Sequence, residues 1–232
     1  MRSLAELGYT VKMTSNGQFE PHVLRALHSE GLAGVNFSVH SLHPDRLAKL
    51  QRPQRSIEWG RAAIQCVIDN AHKALALGLR VKLNAVVGSD PTDALELINF
   101  AHREQLPLRL LNDLGLGSIA TDTIESVISA LGGRIERIGL TEGLSTYSYD
   151  IAADGGIRFG VKAITKSTLS ALCSDCGMRD LCQEWFYGIR IERQHDRLWV
   201  RLCLHRQDSQ ALQLSDDFFR SPQYLEIRSL VE

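Results

Sequence analysis

Strand-like and helix-like segments alternate through the first two-thirds of the chain, and this alternation limits the fold more than any other feature. Residues 9–14 read as a strand, and residues 20–30 as a helix with Pro21 near its start and Gly31 at its end. Residues 34–40 form a second strand, with Val35, Phe37 and Val39 on one face, and residues 44–50 a short helix. A long helix follows over 57–77, with Ile57, Ile64, Val67, Ile68, Ala71 and Leu75 as its apolar stripe and Gly78 after its end. Residues 79–87 are a third strand. Asp90-Pro91-Thr92-Asp93 caps a helix to about 103, and residues 106–111 are a fourth strand. Strand, helix, strand at this spacing implies right-handed crossovers and a parallel sheet or barrel.

In such architectures sites are built at the carboxyl ends of the strands. Thr14, Asn16, Ser38, Lys82, Asn84 and Asn112 are polar residues within these strands or just past them. If Val81 and Leu83 face the helices, Lys82 and Asn84 face the lumen. A lumenal lysine is costly unless paired, which points to an anionic ligand; the alternative is a strand-end lysine in solvent. For Thr14 and Ser38 the plainer reading is turn and capping hydrogen bonds.

After Leu114 the pattern changes. Asp122 and Glu125 look like the capping box of a helix that ends at Gly132-Gly133. Short β-like pieces follow at 134–140, 145–151 and 157–161, then clustered cysteines, a hairpin over 188–204 and an amphipathic helix over 216–231. The expected class is therefore α/β: a partial (β/α) barrel over 1–117, then a small α+β domain over 118–232.

The chain is 44% apolar and 23% charged, which is ordinary globular usage. It contains no apolar run of 18 residues to span a membrane, and its opening residues lack the apolar core of a signal peptide. A cytoplasmic location is expected. A net charge of −1 gives no electrostatic reason to expect nucleic acid or an anionic membrane as partner. The basic run Arg190, Arg193, Arg197, Arg201 and Arg206 reads either as a solvated hairpin face or as a site for a small anion.

Four of the five cysteines, Cys173, Cys176, Cys182 and Cys203, fall in one stretch of the second domain. An odd total in a chain of this type argues against a disulfide framework and for metal or redox chemistry. Cys-x2-Cys brings two thiolates to one metal through a tight turn, and further thiolates from nearby loops complete the site. The spacing alone fits structural zinc or an iron–sulfur cluster; buried unligated thiols are the remaining option. Cys66 reads as a thiol in a helix core, and His40, His43 and His205 have no metal-binding spacing.

Several segments together resemble the radical S-adenosylmethionine (radical SAM) enzymes. Thr14-Ser15-Asn16-Gly17 resembles their Thr-Thr-Asn-Gly turn, and Val35-Asn36-Phe37-Ser38-Val39-His40-Ser41-Leu42 their Ile-Asn-Val-Ser-Leu-Asp-Ser-Leu strand. Residues 81–87 and 108–111 resemble the next two strands. The order beyond them, a helix ending in Gly-Gly, Tyr149-Asp150-Ile151, Cys-x2-Cys and a later Cys-Leu, resembles the GTP 3′,8-cyclase family of molybdenum cofactor biosynthesis.

The resemblance implies a metal-binding lyase that uses S-adenosylmethionine and [4Fe-4S] clusters, generating a 5′-deoxyadenosyl radical to rearrange a nucleotide-like substrate such as GTP. It implies SAM contacts at Ser38 and Leu114, and substrate contacts at Thr14 and Lys82. Arg179 and Arg190 partly echo a family Asn-Arg-Leu-Arg run. Cys173, Cys176 and Cys203 match the auxiliary cluster ligands, and Cys182 is the expected fourth. No residue is assigned as catalytic.

The chain departs from the family in four places that bear on this. It has no Cys-x3-Cys-x2-Cys loop and no Gly-Gly-Glu-Pro motif, so the first βα units are expected to be absent and this chain alone to leave SAM uncleaved. His40 stands where the family has Asp, and Leu114 where it has Met. The segment 180–187 with Cys182 looks inserted. A fourth thiolate would close the iron that holds the purine in the cyclases, and Cys-x2-Cys-x5-Cys resembles the SPASM-type domains of peptide-modifying radical enzymes. The alternatives are therefore a peptide or small-molecule maturase, or a non-catalytic iron–sulfur remnant. Expected partners are the substrate, and a second chain that completes the barrel. The strand over 9–14 is expected as an exposed sheet edge.

Overall fold

The structure is a computed structural model that describes residues 2–51, 53–141, 146–164, 167–182, 186 and 188–230. The helices are α1 (Arg2–Glu6), α2 (Pro21–Ser29), α3 (Pro44–Lys49), α4 (Ile57–Ala76), α5 (Thr92–Arg103), α6 (Ser118–Ala130), α7 (Ser170–Cys173), α8 (Ser215–Phe218) and α9 (Pro222–Ser229). The strands are β1 (Val11–Ser15), β2 (Leu32–Ser38), β3 (Arg80–Val87), β4 (Leu108–Asn112), β5 (Arg134–Thr141), β6 (Thr146–Ala152), β7 (Arg158–Ile164), β8 (Arg190–Gln194), β9 (Arg197–Arg201) and β10 (Leu212–Leu214). No described helix is long and apolar enough to cross a membrane. The α/β expectation holds: a parallel-rich sheet carries helices, and a small antiparallel sheet follows.

The chain divides into two compact units. The first comprises residues 1–137 and 149–162, the second residues 138–148 and 163–232. The expected boundary at 117 thus falls inside the first unit, because α6 packs on β3 and β4 and β7 pairs with β4.

In the first unit β1, β2, β3, β4 and β7 pair in parallel, in that order, with β6 and then β5 beyond; β1 is an edge strand. Parallel partners share a face, so the register divides the sheet cleanly. Val35, Phe37, Val81, Leu83, Ala85, Leu108, Leu110, Phe159 and Val161 are buried on one face, against α2, α4, α5 and α6. Lys12, Thr14, Asn36, Ser38, Lys82, Asn84 and Arg109 stand on the other. Asn112 pairs with Val87 and so belongs to the helix-covered face rather than to the polar one.

The helices correct the sequence reading in three places. The buried face of α4 is Gly60, Ala63, Val67, Asn70, Ala71 and Ala74, while Ile57 and Leu75 are exposed. Small residues win because the neighbour is close: a Cβ at Gly60 would lie 2.1 Å from the Pro44 carbonyl oxygen. Helix α6 begins at Ser118, so Asp122 and Glu125 lie within it and cap nothing. The expected 216–231 helix is two helices, because Ser221 caps a new start at Pro222 by accepting the Tyr224 amide; residue 231 lies outside the described residues. Helix α5 starts at Thr92, whose amide donates to Asp90 Oδ1 at 2.9 Å.

The second unit holds the antiparallel sheet β8-β9-β10. His195 and Asp196, both at positive φ, make the two-residue turn of the β8–β9 hairpin. Its core is Leu169, Leu172, Phe186, Val200, Leu202, Ala211, Phe218 and Ile227. Polar groups brace it. The Glu226 carboxylate accepts the amides of Ser170 and Ala171 at 2.6 and 2.8 Å. The buried Arg201 forks onto Glu192 at 2.5 and 3.1 Å.

Candidate functional site

Two groups of residues, one in each unit, have the makings of a site. The first is the polar face of the parallel sheet. Thr14, Asn36 and Lys82 lie side by side across β1, β2 and β3, and Asn36 Nδ2 donates to Thr14 Oγ1 at 3.4 Å. One row further towards the carboxyl ends, about 7 Å on, come Ser38, Asn84, Arg109 and Gly160. Arg109 Nε donates to Asn84 Oδ1 at 3.1 Å, which orients its guanidinium along the face.

Lys82 is half-buried there. Burial pushes its ammonium below the usual lysine range, and the nearby cations Arg109 and Lys12 push it further, with Asp150 opposing. Lys82 lines an open cavity of about 770 Å³ with Arg103, Arg158, Glu136 and Asp150. The cavity mixes cations with carboxylates, and Arg158 already pairs with Glu136 at 3.1 Å.

The carboxyl ends of β1 and β2 open on a separate cavity of about 310 Å³, lined by Asn16, Gln18, Ser38, His40 and Trp59. Its floor is fixed by packing. Gly17, at φ +74°, leaves no room for a side chain: a Cβ would sit 2.7 Å from Val67. The buried Asn70 donates to the carbonyls of Gly17 and Phe19, both at 2.9 Å. His40 Nδ1 accepts the Val86 amide at 3.3 Å, which leaves Nε2 as the ring's donor, and burial lowers the His40 pKa. His40 also borders a cavity of about 600 Å³ with Asp90, Asp93 and Asp113. Leu114 opens a one-turn 3-10 helix just past β4, where Asp113 Oδ1 accepts the Gly115 amide at 2.8 Å.

The second group is a small cavity in the second unit whose walls include all four clustered cysteines. Local backbone geometry explains why three of them converge. Cys176 N donates to Cys173 O at 3.2 Å, Arg179 N to Cys176 O at 3.0 Å and Cys182 N to Arg179 O at 3.3 Å. These successive turns fold the segment back on itself, and Cys173, Cys176, Arg179 and Cys182 all line the cavity. Cys203, just past β9, closes the opposite wall with Leu172, Phe186, Leu202 and Arg206. The cysteines form no disulfide. Burial raises the Cys173 thiol; a backbone hydrogen bond from Leu169 lowers it, and the neighbouring thiols of Cys176, Cys182 and Cys203 raise it again.

The first unit thus brings Thr14, Ser38 and Lys82 onto one sheet face, and the second brings the four cysteines and Arg179 to one cavity. Arg190 is on β8, paired in register with Arg201. Sequence reasoning passed over Asn36 and Arg109, although their strand alternation with Phe37 and Leu110 already set them opposite the apolar face. It read Arg206 only as part of the basic run; the place of Arg206 on the wall of the thiol cavity depends on loop packing. His43, which has no metal-binding spacing in the sequence, lies with Asp93 and Glu96 in a half-exposed cluster, 2.5 Å from the Glu96 carboxylate.

No family model matches the chain. It is 31% identical over 217 residues to the GTP 3′,8-cyclase of Sinorhizobium medicae (strain WSM419), covering 88% of this chain and 58% of that one. The GTP 3′,8-cyclase of Rhizobium meliloti (strain 1021) is 29% identical over 210 residues, covering 86% and 56%. That of Aquifex aeolicus (strain VF5) is 28% identical over 178 residues, covering 72% and 51%. The chain spans about half the length of the curated relatives it matches. Among solved structures, Streptococcus suis SuiB bound to S-adenosylmethionine aligns over 55% of this chain and 32% of its own, at 16% identity and a TM-score of 0.40, too loosely to weigh. The chain is thus similar in sequence to the GTP 3′,8-cyclases, and through them to the radical SAM enzymes that its strand motifs resemble.

Proposed function

We propose that this chain is the nucleotide-binding and auxiliary-cluster portion of a radical SAM enzyme of the GTP 3′,8-cyclase type. The observation that carries the reading is the cationic, half-buried sheet face around Lys82. Its ammonium is disfavoured by burial and by Arg109 and Lys12, so an incoming phosphate relieves an existing repulsion. Thr14 and Asn36 beside it supply neutral hydrogen-bonding groups for the same ligand. Ser38 and Leu114, at the carboxyl ends of β2 and β4, are the residues for S-adenosylmethionine. Arg179 and Arg190 are the second unit's candidates for substrate contact.

The thiol cavity fits an iron–sulfur cluster. Zinc at about 2.3 Å from each sulfur sets tetrahedral thiolates roughly 3.8 Å apart. Among the described residues, no three of these sulfurs come within 4.8 Å of one another. A multi-iron cluster is wider and needs that spread. Cys173, Cys176, Cys182 and Cys203 would hold it, with Leu172, Phe186 and Leu202 excluding water. Held by all four thiolates, such a cluster would supply electron storage; with Cys182 off it, one iron would be open as a Lewis acid.

The presence of Cys182 in this cavity favours a second reading, a maturase with a fully thiolate-bound auxiliary cluster and a peptide substrate. Binding of GTP, guanosine and tripolyphosphate by the anaerobically reconstituted chain, measured by calorimetry, separates the two. The cyclase-type reading expects GTP to bind and Lys82→Ala to weaken it. No binding of GTP or tripolyphosphate would remove the first reading.

A further inference from the structure

The thiol cavity carries a group that the cysteine ligand set does not account for. Arg206 lines it together with the four cysteines, and its guanidinium is pinned rather than free to swing out. Nε donates to Asp208 Oδ2 at 2.7 Å, Nη2 to Asp208 Oδ1 at 3.0 Å and to Gln210 Oε1 at 2.7 Å. Nη1 donates to the carbonyl of Leu172, the residue just before Cys173. The side chain is about four-fifths buried. A guanidinium cannot shed its proton in a protein, so this is a permanent positive charge fixed on the wall of a thiolate cavity.

We propose that Arg206 sets the reduction potential of the cluster held by Cys173, Cys176, Cys182 and Cys203. The inference rests on the iron–sulfur reading above. One-electron reduction adds a negative charge to a unit that four thiolates already make anionic, and no proton need move with it. A fixed cation close by stabilises the reduced state more than the oxidised one, so it raises the midpoint. The Asp208 carboxylate, on the far side of the guanidinium fork, opposes this and trims the effect. Arg206 is therefore a positioning and potential-setting residue.

The two charges predict shifts of opposite sign, which loosened packing does not. The full chain is reconstituted anaerobically as wild type, Arg206→Gln, Arg206→Lys and Asp208→Asn. Iron, sulfide and zinc are counted, and each midpoint is read by potentiometric titration of the electron paramagnetic resonance signal of the reduced cluster. Arg206→Gln is expected at a more negative midpoint than wild type, Arg206→Lys between the two, and Asp208→Asn less negative than wild type. If Arg206→Gln fails to keep its iron, Asp208→Asn still decides by the sign of its shift. An Arg206→Gln protein with full iron and the wild-type midpoint overturns the proposal. So does a shift of Arg206→Gln and Asp208→Asn in the same direction. Tightly held zinc with no iron in the wild type overturns the cluster reading itself, which the metal count reports separately.

Discussion

The parallel-sheet unit and the cysteine unit are stabilised by different means. In the first, one sheet face is buried under α2, α4, α5 and α6 by a core that runs from Leu24 to Val161. Phe37, Leu83, Leu97, Ile98 and Leu110 in it are almost wholly inaccessible. In the second, a handful of apolar residues from Leu169 to Ile227 is supplemented by buried polar braces. Gln223 Nε2 donates to the Ala171 carbonyl, and Gln213 donates in turn to Gln223. A core that small supplies little free energy, and small domains usually need a metal or a covalent link to make up the difference. The group of thiols beside Leu172 and Leu202 is where such a link belongs. The contrast teaches that the first unit should fold on apolar burial alone, whereas the second should depend on what its cysteines hold.

The largest expected effect tests that dependence directly. Cys176→Ser should lose the cluster and, because ligation and folding are coupled, lower hydrogen-exchange protection around residues 170–182 and 198–203. Strands β2 and β3 should keep theirs. Equal loss of protection in both units, or none in either, would erase the distinction.

Leu83→Ala tests the other side. A fully buried leucine truncated to alanine costs about 2–5 kcal/mol, and the loss should appear in the denaturation midpoint of the parallel-sheet unit. The iron content of the cysteine unit should be unchanged.

Lys82→Ala should weaken GTP binding by about 1–3 kcal/mol, as for a lost charged hydrogen bond, with no change in cluster content. The pH dependence has a definite sign. Burial lowers the Lys82 pKa from its unfolded value, so the charged form costs stability at neutral pH, and that cost is relieved as pH rises through the folded value. Phosphate affinity should therefore fall at an alkaline pH still below the ordinary lysine range. Lys82→Arg, charged throughout, should lose that fall; an unchanged profile would exclude Lys82 from the anion site.

The smallest effect is in the cap of α9. Ser221 Oγ accepts the Tyr224 amide at 3.1 Å, and Ser221→Ala should cost about 1 kcal/mol of stability in the cysteine unit. Measured in the cluster-free protein, the same substitution should have a larger consequence, since the unit then has less stability in reserve.

The amino-acid sequence by itself determined the order of strands and helices to Leu111, because period-two and period-3.6 apolar patterns and the Gly and Pro stops at Gly31, Gly78 and Pro21 act locally. It also determined that Lys82 opposes Val81 and Leu83, since strand alternation leaves no other choice. Only the tertiary structure decided which residues of α4 are buried: Pro44 approaches so closely that Gly60 and Ala63 fit where Ile57 does not. Only it decided that Thr14, Asn36 and Lys82 are neighbours, because register between parallel strands is set by distant crossovers rather than by the strands themselves. The thiol cavity divides in the same way. Successive local turns keep Cys173, Cys176, Arg179 and Cys182 close to one another. Cys203 and Arg206 arrive there only because β9 and the loop after it pack against Leu172, a long-range contact that no local pattern encodes.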